Sequence, residues 1–235
     1  MSHVFRIDEE EFHVQESSLS SQLRVSRISA LSQCMRVEIT RTVHIFTHRD
    51  MQILSLLLAF SEADVDMAVE AARTAFPVWS LSTSASHRAH LLHRLASLVE
   101  KHADELALIE SLDSGKPITS IHEIDIAGVI RILHYYAGWA DKIVGKTIPV
   151  DNPDEVFCYT RKEPVGVVAG IVPWNYPLYL LVLKVAPALT CGCTVVMKTS
   201  EKTPLSALKL AHLIQEAVGT NSVRVSPCCR VEKSR

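Results

Sequence analysis

The sequence lacks the features of nucleic-acid-binding, secreted or membrane-spanning proteins. Its 24 basic residues are balanced by 26 acidic ones, and no basic patch with interleaved aromatics occurs, so neither a nucleic acid nor an anionic membrane is an expected partner. The six cysteines have no spacing typical of small secreted domains and follow no signal peptide, which predicts a reducing compartment and a cytoplasmic location. The apolar run MQILSLLLAF (residues 51–60) is too short to span a bilayer, so we expect a strand or a buried helical turn there.

A glycine-rich phosphate-binding loop is also missing. No G-x-G-x-x-G sequence occurs, which excludes the ordinary phosphate loop of a Rossmann domain. What the chain does have is apolar content: 48% of its 235 residues are hydrophobic, enough for one domain or two small ones. A composition of this kind excludes disorder over the whole length.

The chain divides into three parts by its patterning. Residues 1–60 have no clear period and mix an acidic run, a serine-rich patch and basic residues, which predicts a divergent, poorly ordered segment. Periodic patterns run through residues 61–219 and define the organised part. Residues 220–235 continue no recognisable pattern, and we interpret them as an unrelated C-terminal tail.

Helical spacing dominates the front of the organised part. A helix is predicted to start at the capping sequence SEAD and to end at Pro77. A longer helical region is predicted from Ser86 to Leu112, with Asp104 as an alternative second cap and Gly115 as the stop. The helical pattern returns over residues 118–144. The bulky residues expected on its packing face are Tyr135, Tyr136 and Trp139.

Strand-like segments then alternate with helices. KTIPV and EVFCYTRKEP, separated by the turn composition DNPD, predict a β-hairpin. The apolar run 165–172 is typical of a fully buried parallel strand ended by Pro173, and residues 193–198 predict the next strand. Helices are predicted over 176–189 and from Thr203 onward. We therefore expect an α/β fold: the start of a doubly wound, Rossmann-like parallel sheet, preceded by N-terminal helices and a hairpin, and forming an incomplete domain.

Polar residues follow both predicted parallel strands. Pro173, Trp174 and Asn175 come after the first strand, whereas Lys198 ends the second strand and Glu201 follows it. Open α/β sheets bind ligands at the carboxyl ends of their strands, and an acid beyond the second strand commonly accepts hydrogen bonds from a dinucleotide ribose. Two interpretations stay open on position alone: Lys198 and Glu201 hold a ribose, or they form a solvated pair in a loop.

Five stretches of the sequence resemble one known family. The runs EPVGVVAGIVPWNYPL and APALTCGCTVVMKTSEKTPLSALKLAHLI are similar to the first half of the cofactor domain of the aldehyde dehydrogenase superfamily. Upstream, VDMAVEAARTAF, ESLDSGKP and YYAGWADKIVGKTIP resemble the N-terminal helices of that family, so the resemblance covers about Ser61 to Gly219. It implies NAD-dependent oxidation of an aldehyde to a carboxylic acid, and oligomers of the chain with itself or with other family members.

The resemblance also assigns roles to individual residues. Asn175 matches the asparagine whose side-chain amide stabilises the oxyanion that forms when a cysteine attacks the aldehyde. Lys198 and Glu201 match residues that hold the adenosine ribose, and a glutamate there disfavours a 2′-phosphate, so NAD is expected over NADP. The residues matching those that line the cofactor cleft are Ile171, Val172, Pro173 and Trp174.

The family's catalytic motifs do not occur in these 235 residues. There is no glutamate in an E-L-G-G sequence and no cysteine after G-Q, whereas aldehyde oxidation of this kind needs an activated thiolate and a base. Cys228 and Cys229 have different flanks, SPCCRVEKSR, and are not expected to be nucleophiles. We therefore expect this chain to be inactive. The alternative is a non-catalytic truncated fragment or splice form that binds a full-length family member or has no function.

The remaining candidates have simpler interpretations. Three histidines recur every three residues on a predicted helix: His87, His90 and His93. No fourth ligand is evident, so no metal site is expected. Cys191 and Cys193 flank a glycine and are interpreted as buried or turn residues. Asp113 and Lys116 are interpreted as parts of a loop after a helix.

Overall fold

A hairpin occupies part of the segment predicted to be irregular. The computed structural model describes residues 41–46, 53–59, 62–151, 156–218 and 223–226. Strand β1 (Arg41–Phe46) pairs antiparallel with β2 (Ile53–Ala59). The expected lack of structure is therefore wrong for these two strands, whose β-branched and apolar residues favour extended backbone. The strand alternative for MQILSLLLAF is confirmed, and residues 1–40 lie outside the described part.

The first helical path does not end at its proline. Helix α1 (Glu62–Pro77) starts at the expected acidic turn and continues directly into a π-helical segment, π1 (Val78–Ser82). Proline removes one N–H donor, but its backbone here stays helical, at φ −59° and ψ −40°. The continuation buries Trp79, whose indole Nε1 donates to the carbonyl of Leu189 at 3.2 Å. A buried indole with an acceptor stabilises this extra turn.

The long helical region is two helices. Helix α2 (Ala85–Lys101) begins at Ser84, whose Oγ accepts a backbone N–H of the first turn at 3.2 Å. Helix α3 (Ala103–Ser114) follows after a break at His102. It ends at Gly115, where φ is 76°, a left-handed conformation that glycine adopts without strain. The predicted stop at this glycine is confirmed.

The third helical region is shorter than predicted. A single turn, α4 (Ile118–Ser120), a π-helical segment, π2 (Ile121–Ile126), and helix α5 (Ala127–Ala137) form one continuous path. This path ends at Gly138 rather than at residue 144.

The aromatic cluster at the end of α5 does not form the core. Tyr135 and Trp139 are 59% and 45% exposed, so their expected place on the packing face is wrong, whereas Tyr136 packs partly buried against the core. The buried stripe of α5 follows a spacing of four residues, which turns the intervening positions toward solvent. Its members are Val129, Leu133 and Ala137.

Two small sheets follow the helices. Strand β3 (Thr147–Ile148) pairs antiparallel with β4 (Cys158–Tyr159), which confirms the predicted hairpin. A parallel sheet contains β5 (Val167–Ile171), β6 (Thr194–Lys198) and β7 (Val223–Ser226), in that spatial order. Helix α6 (Pro177–Thr190) connects β5 to β6, and helix α7 (Leu205–Val218) leads from β6 to β7. The predicted start of a doubly wound α/β sheet is confirmed.

The parallel sheet departs from the prediction in two ways. A third strand is present in the segment that shows no pattern, where Val223 pairs with Val195 of β6. In addition, β5 is not fully buried: Ala169 and Ile171 are exposed, whereas every residue of β6 except Lys198 is buried. The reason is that β5 pairs only with β6 within the described residues, so it lies at the edge of the sheet.

The core lies where the helices pack around β6. Helix α2 contacts α5 and α7, α6 contacts α5, and α1 contacts β6. At the start of β6, the hydroxyl of Thr194 donates to the carbonyl of Ala72 in α1 at 2.9 Å. The large, fully buried side chains include Leu92, Leu95, Leu133, Leu181, Leu189, Met197 and Leu210. None of the helices in the described ranges has the length and apolarity needed to cross a bilayer.

Candidate functional site at the strand ends

The carboxyl ends of the parallel strands lie side by side. Ile171 pairs with Lys198, and the N–H of Val172 donates to the carbonyl of Lys198 at 2.9 Å, so the ladder continues one residue past β5. On its other side, Lys198 pairs with Ser226 at the end of β7. The polar segments after β5 and β6 therefore leave the sheet from neighbouring positions, at the edge where open α/β sheets bind ligands.

The first loop, residues 172–176, is the predicted turn between a strand and a helix. Val172 is buried and fixes the start of the loop. Pro177 lies at the first position of α6, where its missing N–H leaves no bond unmade. The exposed residues at this strand end are Ile171, Pro173, Trp174, Asn175 and Tyr176. Asn175 is thus presented to solvent on a short turn with a proline at each side.

The second loop, residues 199–204, begins with an ion pair. Nζ of Lys198 lies 3.3 Å from Oε2 of Glu201, whose side chain is 51% exposed. The backbone N–H of Glu201, together with Lys198 and Lys202, holds the pKa of this carboxyl below its usual range despite partial burial. Glu201 is therefore an ionised acceptor facing solvent. This pairing is compatible with a ribose-binding carboxylate and with a solvated loop pair alike.

The two loops contact each other. The hydroxyl of Thr203 in the second loop donates to the carbonyl of Trp174 in the first loop at 3.4 Å. Nζ of Lys202 lies 5.9 Å from the centroid of the Trp174 ring. The loop that carries Asn175 and the loop that carries Glu201 therefore adjoin each other at Trp174.

Two buried carboxylates hold the helices behind the loops. Oε2 of Glu110 accepts the backbone N–H of Leu178, in the first turn of α6, at 3.2 Å. Oδ2 of Asp113 accepts the backbone N–H of Leu205, the first residue of α7, at 2.8 Å. Both acids lie in the last turns of α3, three residues apart. The interpretation of Asp113 as a residue of a loop is therefore wrong.

Burial sets the protonation of these two acids. Loss of hydration raises the pKa of Asp113 to about 7, against the opposing effect of the Leu205 amide. Burial likewise raises the pKa of Glu110 to about 7, and the nearby Asp125 carboxylate adds to the rise. Acids are unfavourable at the C-terminal end of a helix because of its dipole. Two acids just before Gly115 were thus a sequence signal that their partners lie elsewhere in the fold.

A lysine supports the first loop from the same side. Nζ of Lys116 lies 3.5 Å from the centroid of the Tyr176 ring and also pairs with the buried carboxylate of Asp125. A cation over an aromatic face is attracted by the ring electrons. Tyr176 directly follows Asn175, so this contact fixes the end of the first loop.

The histidines do not form a metal site in the described ranges. Nδ1 of His93 lies 2.7 Å from Nδ1 of His134 on α5, and the rings of His87 and His90 stack with centroids 6.4 Å apart. Partial burial, with His134 and His90 close by, lowers the pKa of His93. Within residues 62–151 and 156–218, no three side chains that bind metals come together.

Two of the cysteines in the described region lie at one turn. Cys191 is exposed and Cys193 is buried at the turn between α6 and β6. Partial burial, followed by the neighbouring Cys193, raises the pKa of the Cys191 thiol above its ordinary value, so the protonated form predominates at neutral pH. Cys228 and Cys229 lie outside the described residues.

A parallel sheet whose strands are connected by helices defines an α/β protein. Residues 38–224 match the model of the aldehyde dehydrogenase family. This match covers well over half of the 235 residues, so the chain belongs to the aldehyde dehydrogenase family.

Relatives and solved structures agree with this assignment. Human retinaldehyde dehydrogenase 3 is 55% identical over 156 residues, covering 66% of this chain and 30% of that protein. Retinal dehydrogenase 2 of Taeniopygia guttata is 44% identical over 202 residues, which cover 85% of this chain and 39% of that protein. The solved structure of an aldehyde dehydrogenase from Bacillus cereus in complex with NAD+ matches with a TM-score of 0.76 at 41% identity. The match covers 80% of this chain and 38% of that chain. The chain therefore spans about a third of the length of these relatives.

Proposed function

We propose that this protein takes part in the NAD-dependent oxidation of an aldehyde to a carboxylic acid. The observation that carries the proposal is the common surface of the two loops, which places an exposed asparagine and an ionised, exposed glutamate on one edge of a parallel sheet. Curated relatives are named for retinal, so retinal is the first aldehyde to test.

The second loop fits the adenosine half of the cofactor. Glu201 is ionised and half exposed, so both carboxylate oxygens can accept hydrogen bonds from ribose hydroxyls. The same charge would repel a 2′-phosphate, which favours NAD over NADP. Lys198 holds the carboxylate in place and can donate to the sugar. When bound, NAD supplies the hydride acceptor for the reaction.

The N-termini of the two helices that follow the loops, α6 and α7, are not expected to bind the cofactor phosphates. Rossmann domains bind a pyrophosphate at the N-terminus of the helix that follows a strand. In this protein a carboxylate already accepts an N–H in the first turn of each such helix, Glu110 for α6 and Asp113 for α7. The cofactor phosphates therefore lie away from these two helix starts, in keeping with the missing glycine-rich loop.

The first loop supplies the oxyanion donor and the wall of the cleft. Asn175 carries a neutral amide whose N–H groups can donate to an aldehyde oxygen as negative charge develops on it. Its position on a turn fixed by Pro173 and Pro177 limits the reorganisation that this donation requires. The residues proposed to line the cofactor cleft beside it are Ile171, Val172, Pro173 and Trp174.

Calorimetry of NAD binding to the 235-residue chain tests the proposal. We expect weak binding, weakened further by Glu201→Ala and by Lys198→Ala, because each removes a contact to the ribose. The matched controls are Glu216→Ala, an exposed acid on α7, and Lys142→Ala, an exposed lysine. Glu201→Gln should narrow the preference for NAD over NADP. Tight binding that ignores both loop variants would place the cofactor elsewhere.

An activity assay accompanies the binding measurement. Neither an E-L-G-G glutamate nor a G-Q-x-C cysteine is among these 235 residues, so the chain by itself should form no NADH from retinal or a simple aldehyde. Turnover that disappears with Cys228→Ala or Cys229→Ala would contradict this expectation.

A non-catalytic role is the second candidate function. Apolar side chains on the β3–β4 hairpin are exposed, with Phe157 at 73% and Tyr159 at 63%. Such a surface suits association with another chain, and a full-length family member is the proposed partner. Size-exclusion of the chain mixed with the Bacillus cereus enzyme would detect a joint complex, and separate elution would exclude this association for that partner.

A further inference from the structure

The two loops of the proposed site have no regular structure of their own, yet each runs directly into the first turn of a helix. The direction in which a loop leaves its strand is therefore set by where the following helix starts. The helix after the first loop starts at Pro177 and has Leu178 in its first turn, and the helix after the second loop starts at Leu205.

Both helix starts are fixed by the same element. The carboxylate of Glu110 bonds the N–H of Leu178 at 3.2 Å, and that of Asp113 bonds the N–H of Leu205 at 2.8 Å. A spacing of three residues places Glu110 and Asp113 on one face of α3. Consequently one face of α3 spans the distance between the two helix starts and sets their separation.

Burying Glu110 and Asp113 costs more free energy than burying apolar side chains at the same positions would. Glu110 and Asp113 are 0% and 1% exposed. Oδ1 of Asp113 has no hydrogen-bond partner within the described residues, and Glu110 lies beside the Ser206 hydroxyl and a second buried acid, Asp125. A buried polar atom without a partner destabilises a fold, and an apolar side chain would avoid this cost. Each acid instead forms a directed hydrogen bond to the start of a helix. The acids therefore position the helices rather than improve the packing of the core.

We infer that α3 is a shared positioning element for the site, in which Glu110 sets the first loop with Asn175, and Asp113 sets the second loop with Glu201. The functional meaning of this arrangement rests on the proposed function. The arrangement itself does not, because the bonds to the two helix starts can be tested without cofactor or substrate. Glu110 and Asp113 are buried and act through the helix starts, so we class them as positioning residues.

Hydrogen exchange measured by mass spectrometry on peptides from each loop tests the inference. The full 235-residue chain is used, fused to a soluble carrier protein so that association does not obscure the measurement. Glu110→Ala should raise exchange about tenfold in peptides covering residues 174–181, a size typical of a lost helix cap, with a smaller rise in residues 201–208, where Ser206 lies beside Glu110. Asp113→Ala should show the opposite pattern.

Conservative variants separate positioning from stability. Glu110→Gln and Asp113→Asn keep an oxygen acceptor of the same shape and should restore slow exchange. Asp104→Asn, an exposed acid on the same helix, is the matched control and should change neither loop. If an alanine variant does not fold, Glu110→Asp and Asp113→Glu move the carboxylate by one methylene and should give the same crossed pattern.

The results that overturn the inference are equally definite. A uniform rise in exchange over all peptides, including those of α2, would show a general loss of stability. Unchanged exchange in the loop assigned to each acid would show that something else positions it. Failure of the proposed function has a different outcome: the wild-type chain would not bind NAD, while the crossed pattern of loop exchange would remain.

Discussion

Three acidic side chains of this protein are buried away from water. Glu110, Asp113 and Asp125 are each no more than 1% exposed. A carboxylate that loses its hydration favours its neutral form, which raises its pKa. Proton occupancy of the two acids with pKa values of about 7 therefore becomes part of the free energy of unfolding.

We expect the contribution of Asp113 to stability to fall as pH rises from 3.8 to about 7. The folded protein binds this proton more tightly than the unfolded chain, because the folded pKa is raised above the unfolded value. The contribution is complete below the unfolded pKa and is lost as pH rises through the folded pKa. Pulse proteolysis in urea over a pH series measures the free energy of unfolding in dilute solution.

The matched variant for this prediction is Asp113→Asn, which cannot titrate and should make the pH dependence shallower. The lowered pKa values of His93 and His212 act in the opposite direction, since the unfolded chain binds their protons more tightly. The difference between wild type and Asp113→Asn isolates the acid from these histidines. Identical pH profiles for the two proteins would contradict the expectation.

The sequence predicts a site residue when its position depends on one neighbouring element. Asn175, Lys198 and Glu201 follow strands, and parallel strands end at a common edge, so their proximity follows from local patterns. The bonds of Glu110 and Asp113 join residues 68 and 92 positions apart. No local pattern specifies such a partner. The sequence shows only that two acids occupy an unfavourable helix end.

The ends of helices and strands are likewise predicted where local residues mark them and missed where distant contacts decide them. Helix α6 and strand β6 begin and end within about two residues of their predicted bounds, because prolines and a glycine turn mark them locally. The π1 segment, by contrast, continues beyond Pro77, where Trp79 is buried and bonds Leu189. Strand β7 forms by pairing with β6, and its own short sequence does not predict this contact. Tertiary contacts decided these cases.

The packing of α5 on α6 gives a prediction about an element. A Cβ added to Gly128 would lie 2.3 Å from Cε2 of Tyr179, so the two helices approach too closely for a side chain. Gly128→Ala should reduce the free energy of unfolding by about 1 kcal/mol, because overpacking of ~1–3 kcal/mol outweighs a helix-propensity gain of ~1 kcal/mol. Pulse proteolysis in urea measures this change.

A second glycine controls for the first. A Cβ at Gly138 would meet its nearest atom at 3.4 Å, an ordinary contact, so Gly138→Ala should cost little. Adding Tyr179→Leu to Gly128→Ala should recover part of the loss, since it removes the ring atoms that clash. Equal effects of the two glycine substitutions would show that the close approach does not limit the packing of these helices.

Two exposed apolar surfaces of the described residues adjoin strands. Phe157 and Tyr159 are exposed on the β3–β4 hairpin, and Val165 is 85% exposed just before the edge strand β5. An unpaired strand edge with apolar neighbours is a template for association with other chains. This arrangement favours complexes over a free monomer.

We therefore expect the isolated chain to elute from size-exclusion as species larger than a monomer. Phe157→Lys and Val165→Lys should each shift the distribution toward the monomer, because a charge at the contact opposes burial. Leu81→Lys is the control, an exposed leucine on π1 that belongs to neither the hairpin nor the edge strand. A sharp monomer peak for the unaltered chain, with a single cooperative thermal transition, would show that it is a self-sufficient domain.

The position of α3 in the chain has a consequence for synthesis on the ribosome. Asp113 precedes its partner Leu205 by 92 residues. At about 5–20 residues per second, that partner is added roughly 5 to 18 seconds later. Throughout this interval α7, which packs on α3 in the finished fold, is missing, so we expect the Asp113 carboxylate to be hydrated and charged. Helix α3 is thus made before the helices whose starts it holds. Nascent chains arrested between these two points should therefore carry Asp113 ionised at neutral pH, and only longer chains can protonate it and complete the site.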